Sequence, residues 1–406
     1  MTLRNPTGRA RLSLALLLGL LAVLGPLNID MYLPAFPEIS ADLDARASQV
    51  QLSLTTCLVG LALGQFVVGP LSDAYGRRGP LLVSLGLFVL SSALCALAPN
   101  IAVLVAGRFL QGLTASAGVV LSRAVVRDVF DGHELTRFFA LLMVINAVAP
   151  LVAPVVGGAL LWPSFAGWEI VFWALALLGA AIVAVTALRL PETLPRERRT
   201  PGSVGATART IGELLRDRVF LGYALVTGLL HGGSFAYVAG TPFVYQELHG
   251  VSPQVFGVLF GINGIAIIGG SWTVGRFSPR FGERRLLVAA VSVAVLATGV
   301  LLAATLLQGP LVSLVVPIFV YMTCMGMILT GSFALAMDGQ ERRAGSASAL
   351  LGALSPLCGA VVAPLVGLDE TTAVPMGALL FGTSAAGLAV LLAMTARRPR
   401  VPVAEG

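Results

Sequence analysis

The chain has 406 residues, with 26 basic and 20 acidic side chains for a formal net charge of +6, and is 57% hydrophobic against 11% charged. With a mean hydropathy of +0.90, too little polar surface remains to coat a soluble globule, so lipid must form much of its solvent. All 26 basic residues are arginine. Without lysine there is no P-loop ammonium for nucleotide phosphates and no Schiff-base amine, which excludes ATP-driven pumping by this chain and that class of covalent catalysis.

The first apolar run begins near Leu12, after Arg4, Arg9 and Arg11. It continues without a small-residue cleavage motif and reads as a first span rather than a signal peptide. Charge-free stretches at 138–168, 219–246, 344–368 and 371–396 each exceed the ~20 apolar residues that cross a ~30 Å hydrocarbon core as helix. In chain order the predicted spans are 12–36, 48–71, 80–98, 101–122, 137–161, 168–190, 219–244, 254–275, 286–307, 310–336, 344–367 and 374–396. The expectation is an all-α membrane protein with twelve transmembrane helices. The uncharged run from Leu286 to Met337 is too long for one span and must fold back, at Gln308-Gly309-Pro310. Cys57, Cys95, Cys324 and Cys358 fall singly within spans, with no CxxC, and read as small packing residues.

Twelve spans put both termini on one side. Of the 26 arginines, 24 lie in the termini, in alternate loops or at span ends facing them, and these mark the cytoplasm; only Arg46 and Arg108 do not. The connection from Pro191 to Arg218 carries six arginines and divides the spans six and six. The predicted domains are therefore an amino-terminal half, 1–190, a cytoplasmic linker, 191–218, and a carboxyl-terminal half, 219–406. In the linker, Ile211, Leu214 and Leu215 have the spacing of a short amphipathic helix, and a solvated charged strand without fixed structure is the alternative. A weak internal repeat supports the division: GPLSDAYGRR (Gly69 to Arg78) follows span 2, and GRFSPRFGER (Gly275 to Arg284) follows span 8. Two similar halves suit a transporter that rocks about a central site.

GPLSDAYGRR resembles the loop motif of the major facilitator superfamily. PLNIDMYLPAFPEI (Pro26 to Ile39), RFLQG (Arg108 to Gly112), APLVAPVVGG (Ala149 to Gly158) and PETLPRERR (Pro191 to Arg199) narrow the resemblance to the Bcr/CflA drug-efflux family of drug:proton antiporters. It covers nearly the whole chain. It implies the two-halved major facilitator fold and export of a drug, such as a chloramphenicol- or bicyclomycin-like compound, against protons. The implied partners are a small-molecule drug, protons and the bilayer of the cytoplasmic membrane; a monomer is expected, with both termini cytoplasmic and with no cofactor, metal or nucleic acid.

Asp30 is the central residue. A carboxylate in hydrocarbon is costly unless paired, protonated or lining a wet cavity. Burial disfavours such a charge and a nearby cation favours it, so an acid carried between those surroundings takes up and releases a proton. The alternative is an acid near the span end, before Pro34 and Pro37, that reaches headgroups or water. At ~1.5 Å per residue, Asp30 lies about 9 Å below the end of span 1 near Phe36, and Arg108 about 10 Å below the end of span 4 near Ile101. Arg108 is thus a candidate partner in proton coupling, if the two spans adjoin as the resemblance implies; otherwise it caps carbonyls or pairs structurally. Gln111, at i+3, shares its face. Candidate pocket residues are Asn28, Tyr32, Gln111, Asn146, His231 and Tyr237.

The resemblance makes Gly69, Asp73, Gly76, Arg77 and Arg78 a conformational latch, with Asp73 accepting from local N–H groups or from Arg77. A charged turn obeying the positive-inside rule explains the arginines but not Asp73. In the second copy Pro279 replaces the aspartate and Glu283 the first arginine. Pro150, Pro154, Gly157 and Gly158 in span 5 can bend a helix or admit a close neighbour, and the resemblance makes them the antiporter motif, with Ala149 and Ala153 where glycines are usual. HGGS (His231 to Ser234) invites a Ser-His hydrolase reading, but no GxSxG elbow or orienting acid accompanies it. His133 and His249 fall at loops, and no spacing suggests a metal site. The expectation is an exporter, not an enzyme. Its rivals are an importer or uniporter of a metabolite and an intramembrane hydrolase.

Overall fold

The computed structural model describes residues 8–162, 167–199, 212–338, 340, 344–369 and 371–395. Among them stand twelve long helices: α1 (Gly8–Asp30), α2 (Ala47–Tyr75), α3 (Arg78–Ala96), α4 (Ile101–Val129), α5 (Gly132–Leu160), α6 (Glu169–Arg189), α7 (Arg218–Phe243), α8 (Pro253–Phe281), α9 (Glu283–Leu306), α10 (Leu311–Met337), α11 (Ala344–Val366) and α12 (Val374–Met394). Hydrocarbon offers a backbone no partner, so each span closes its own N–H to C=O ladder. One helix meets each predicted span. Helices α2, α4 and α8 run on to Tyr75, Val129 and Phe281, past the predicted ends at 71, 122 and 275. Charge marks where hydrocarbon stops, whereas the ladder continues into the water beyond.

The first span departs from expectation. It was expected to continue to Phe36, yet α1 stops at Asp30, followed by a 3₁₀ turn at Leu33–Ala35 and a short helix at Phe36–Asp42. Pro34 and Pro37 lack the N–H a helix needs, and each disfavours the helical conformation of its predecessor. The turn itself is buried, with Tyr32, Leu33, Ala35 and Phe36 all at 0% exposure. Asp30 is therefore interior although it ends a helix. The fold-back after α9 falls where the sequence puts it, with Gln308 at φ +50. In the linker, residues 212–216 are helical, with Leu214 buried and Leu215 exposed; Arg209 and Ile211 lie outside the described residues.

Packing repeats with a step of six helices. Helix α2 lies on α4 as α8 lies on α10, α3 on α6 as α9 on α12, and α1 on α5 as α7 on α11. A Cβ on Gly112 would run into the backbone of Cys57, and one on Gly326 into that of Ile267, so both crossings depend on absent side chains. The two sets of six meet through α2 with α11 and α5 with α8, which exchange under the same step. Leucines such as Leu90, Leu177, Leu188 and Leu296 stay exposed on the outside of the bundle, where lipid is the solvent.

Three hydrogen bonds that join the two sets lie together at one end. Gln51 Nε2 donates to the Ala239 carbonyl (3.2 Å), Gln246 Nε2 to that of Pro34 (3.2 Å) and Gln254 Nε2 to that of Gly158 (3.3 Å). All lie at the starts of α2 and α8 and the finishes of α1, α5 and α7, opposite the end that carries the Gly69–Arg78 loop.

Candidate functional site

Arg108 is fully buried on α4 and held by polar groups of its neighbours. Its Nη1 donates to Asn28 Oδ1 (2.7 Å) and Gln111 Oε1 (2.5 Å), and its Nη2 to the Asn28 carbonyl (2.8 Å). The guanidinium lies 4.0 Å from the Tyr32 ring centroid and 5.7 Å from that of Phe172. Two π faces and three oxygens thus replace its water. The ring of bonds continues outward: Asn28 Nδ2 donates to Cys57 Sγ (3.2 Å), Gln111 Nε2 to Ser92 Oγ (2.8 Å), and the Tyr32 hydroxyl to Ser53 Oγ (3.3 Å), whose own proton goes to the Val50 carbonyl. One donor, Nε of Arg108, has no partner among the described residues.

The carboxylate expected to pair with this cation does not. Among the described residues no ion pair or hydrogen bond reaches Asp30, which is 7% exposed. Asn28 takes Arg108 instead, and two residues on a helix point about 200° apart, so whichever of Asn28 and Asp30 faces α4 turns the other away. Asp30 lies toward the second set of helices, within electrostatic reach of Tyr237 on α7. Beside it, the Met31 carbonyl lies where a Cβ on Gly157 of α5 would stand. Gly158 fits as closely against Pro253 of α8. Pro154, whose carbonyl lies against Gly257 of α8, thus joins Gly157 and Gly158 in seating α5 against both the end of α1 and the facing set, while Pro150 stands two turns before Gly157 in the same helix.

The candidate pocket residues divide. Asn28, Tyr32 and Gln111, each at 0% exposure, form the cage of Arg108 and present no open wall in this conformation. Tyr237, 2% exposed, stacks on Phe260 (4.9 Å, 21°) and accepts a bond from Asn263 (2.8 Å). The His231 ring stacks on Phe235 (5.8 Å). Ser234 Oγ donates to the His231 carbonyl (2.6 Å) rather than to its ring, so this pair is not a nucleophile and base. Asn146 stands in α5, its side chain outside those described.

The loop after α2 is tied down by more acids than the motif contains. Gly76 adopts φ +94, which turns the chain from α2 into α3 at a conformation that other side chains rarely accept. Arg77 Nη1 donates to Ser72 Oγ (2.7 Å) and Asp73 Oδ1 (2.5 Å), and its Nε to Asp128 Oδ2 at the end of α4 (2.9 Å). Burial opposes the guanidinium's charge, but Asp128 and Asp73 outweigh it and hold the group above its ordinary value. Glu192, just past α6, accepts from the backbone N–H groups of Arg77 (2.8 Å) and Arg78 (3.3 Å), at the start of α3 where donors are otherwise open. Arg78 Nη2 donates to the Ala187 carbonyl (2.7 Å). Gly69 lies in α2, a turn before this node. In the second copy Arg284 makes one bond, to the Thr395 carbonyl (3.3 Å).

Sequence reasoning missed Asp128, Glu192 and Asn263. Glu192 stands within the quoted PETL segment and Asn263 is an amide inside an apolar span, so both carried a signal; Asp128 was masked by the neighbouring Arg127 as an ordinary cytoplasmic charge.

The major facilitator superfamily model matches residues 18–364. The chain is 62% identical over 396 residues to a protein of Bacillus subtilis (strain 168) called "Uncharacterized MFS-type transporter YdgK", covering 98% of each. It is 32% identical to the "Bicyclomycin resistance protein homolog" of Haemophilus influenzae, covering 89% of this chain and 90% of that one. Among solved structures, a D-xylose-proton symporter superposes with a TM-score of 0.75 at 14% identity, covering 95% of this chain and 98% of the other. That likeness is one of fold.

Proposed function

This chain belongs to the major facilitator superfamily, and on that premise we propose that it exports small, partly apolar drugs in exchange for protons. The reading takes the cell membrane as its site, with the arginine-rich face and both termini cytoplasmic. Halves 1–190 and 219–406 rock about the linker 191–218, and the conformation described here is held together at the end opposite the Gly69–Arg78 loop, where hydrogen bonds cross between the halves.

One observation carries the proposal: Asp30 is a buried carboxylate with no protein partner among the described residues, placed where the first half faces Tyr237 of the second. A charge left uncompensated in a bilayer is costly and reads as functional. In the inward state the carboxyl releases its proton to the cytoplasm and drug enters. After rocking, drug departs and a proton from outside rejoins the carboxylate, so the return step carries a neutral acid through the closed interface. The likeness to a bicyclomycin resistance homologue supports bicyclomycin-type and chloramphenicol-type cargo.

The test is drug-driven proton release from inverted vesicles. Chloramphenicol or bicyclomycin added to vesicles with an acidified lumen should draw protons out with the wild type and not with Asp30→Asn. Normal coupling by that variant would remove Asp30 from the mechanism, and drug flux without proton flux in the wild type would favour a uniporter.

A further inference from the structure

Asn263 lies on α8 at 6% exposure, one helical turn beyond Leu259. Its side-chain nitrogen stands 3.2 Å from the Leu259 carbonyl and 2.8 Å from the Tyr237 hydroxyl. A carbonyl oxygen only accepts, so the atom facing it must be the NH₂ group, and this fixes which way the amide is turned. The same NH₂ faces the phenol oxygen, which must therefore accept. A hydroxyl that accepts in one direction has its single proton left for another. Among the described residues nothing takes that proton.

The ring is as constrained as the hydroxyl. It stacks on Phe260, which packs at 5.7 Å on Phe256, so Tyr237 has little freedom to turn its oxygen elsewhere. Asp30 of the other half lies within electrostatic reach of it. The hydroxyl thus sits at the meeting of the halves as a donor with its direction set before any ligand arrives.

We infer that Asn263 is a positioning residue that fixes the Tyr237 hydroxyl as a hydrogen-bond donor into the cargo site, so that cargo is held there through an acceptor oxygen of the carbonyl or nitro type. This rests on the transport reading above and deepens it: Asp30 answers to protons, while Tyr237, set by Asn263, answers to the cargo. Preorganisation of this kind acts on affinity rather than on turnover, because the cost of orienting the donor is met in folding.

The experiment measures chloramphenicol uptake into energised inverted vesicles against concentration, for wild type, Asn263→Leu, Asn263→Asp, Tyr237→Phe and the two double variants. Asn263→Leu removes the NH₂ donor. Asn263→Asp reverses the bond, since a carboxylate accepts the phenol proton and turns it from the cargo. The half-saturating concentration should rise about threefold for the leucine variant and about tenfold for the aspartate and Tyr237→Phe variants, as expected for one hydrogen bond. The maximal rate should stay within about twofold of wild type. In the Tyr237→Phe background neither change at 263 should add anything. Should the aspartate variant fail to reach the membrane, the leucine pair still decides. A fall in maximal rate at unchanged half-saturation, or an equal effect of the 263 changes with and without the hydroxyl, would make Asn263 a packing residue and overturn the inference. A wild type that moves neither chloramphenicol nor bicyclomycin would sink the transport reading and this inference with it, whereas a wild type that moves drug with insensitive 263 variants sinks the inference alone.

Discussion

Two charges sit near one another in the first half and are treated in opposite ways. Arg108 is wrapped by Asn28, Gln111 and the rings of Tyr32 and Phe172, whereas Asp30, two residues past Asn28, has no bond among the described residues. A charge most of whose solvation the protein supplies gains little by changing state. A charge left without it has every reason to trade its proton with the surroundings. On the proposed reading the contrast separates a fixed element of the local field from an exchangeable one, although both are ionisable groups in an apolar span.

The contrast can be broken by substitutions with opposite profiles. The largest expected effect is at Asp30: Asp30→Asn should abolish drug-driven proton release while leaving the thermal transition in detergent unchanged or higher, because the acid takes part in no bond that the amide would lose. Arg108→Leu should do the reverse first, lowering stability by about 3–5 kcal/mol, since two oxygens of Asn28 are left buried without this donor and Gln111 Oε1 keeps only the weak Cys95 Sγ–H; calorimetry in micelles checks it. A protein unharmed by that change would mean the cage is not what holds α1 to α4. Gln111→Leu takes away the bonds with Arg108 and Ser92 and the weak one from Cys95, and should cost about 1–3 kcal/mol by the same measurement. Tyr32→Phe keeps the ring over the guanidinium and loses only the 3.3 Å bond with Ser53, so its cost should stay below about 1 kcal/mol. A steeper loss there would shift weight from the ring face to the hydroxyl.

Much of this was legible in the sequence and some was not, for physical reasons. Bilayer thickness imposes a minimum length on every span, so long apolar runs located all twelve helices, and Gln308-Gly309-Pro310 located the turn between α9 and α10. Arginine distribution predicted an orientation through the same solvent. Depth counting brought Asp30 and Arg108 to the same level but could not supply azimuth, and azimuth decides that Asn28 rather than Asp30 faces α4. Hydropathy carries the first span to Phe36, whereas the prolines at 34 and 37, which place Asp30 near a span end, stop α1 at Asp30 itself. The node at Arg77 draws Asp128 and Glu192 from positions 51 and 115 residues away, a long-range convergence that local spacing does not encode.

The contacts that close one end of the molecule have a chemistry of their own. Gln51, Gln246 and Gln254 are neutral amides, and each meets a backbone carbonyl across the divide. Dissolved ions screen charged clasps strongly and uncharged ones hardly at all, and none of these groups titrates. The free energy of parting the halves at that end is accordingly the same in dilute and in saline surroundings, on the face that we propose turns toward a medium whose composition the cell does not govern.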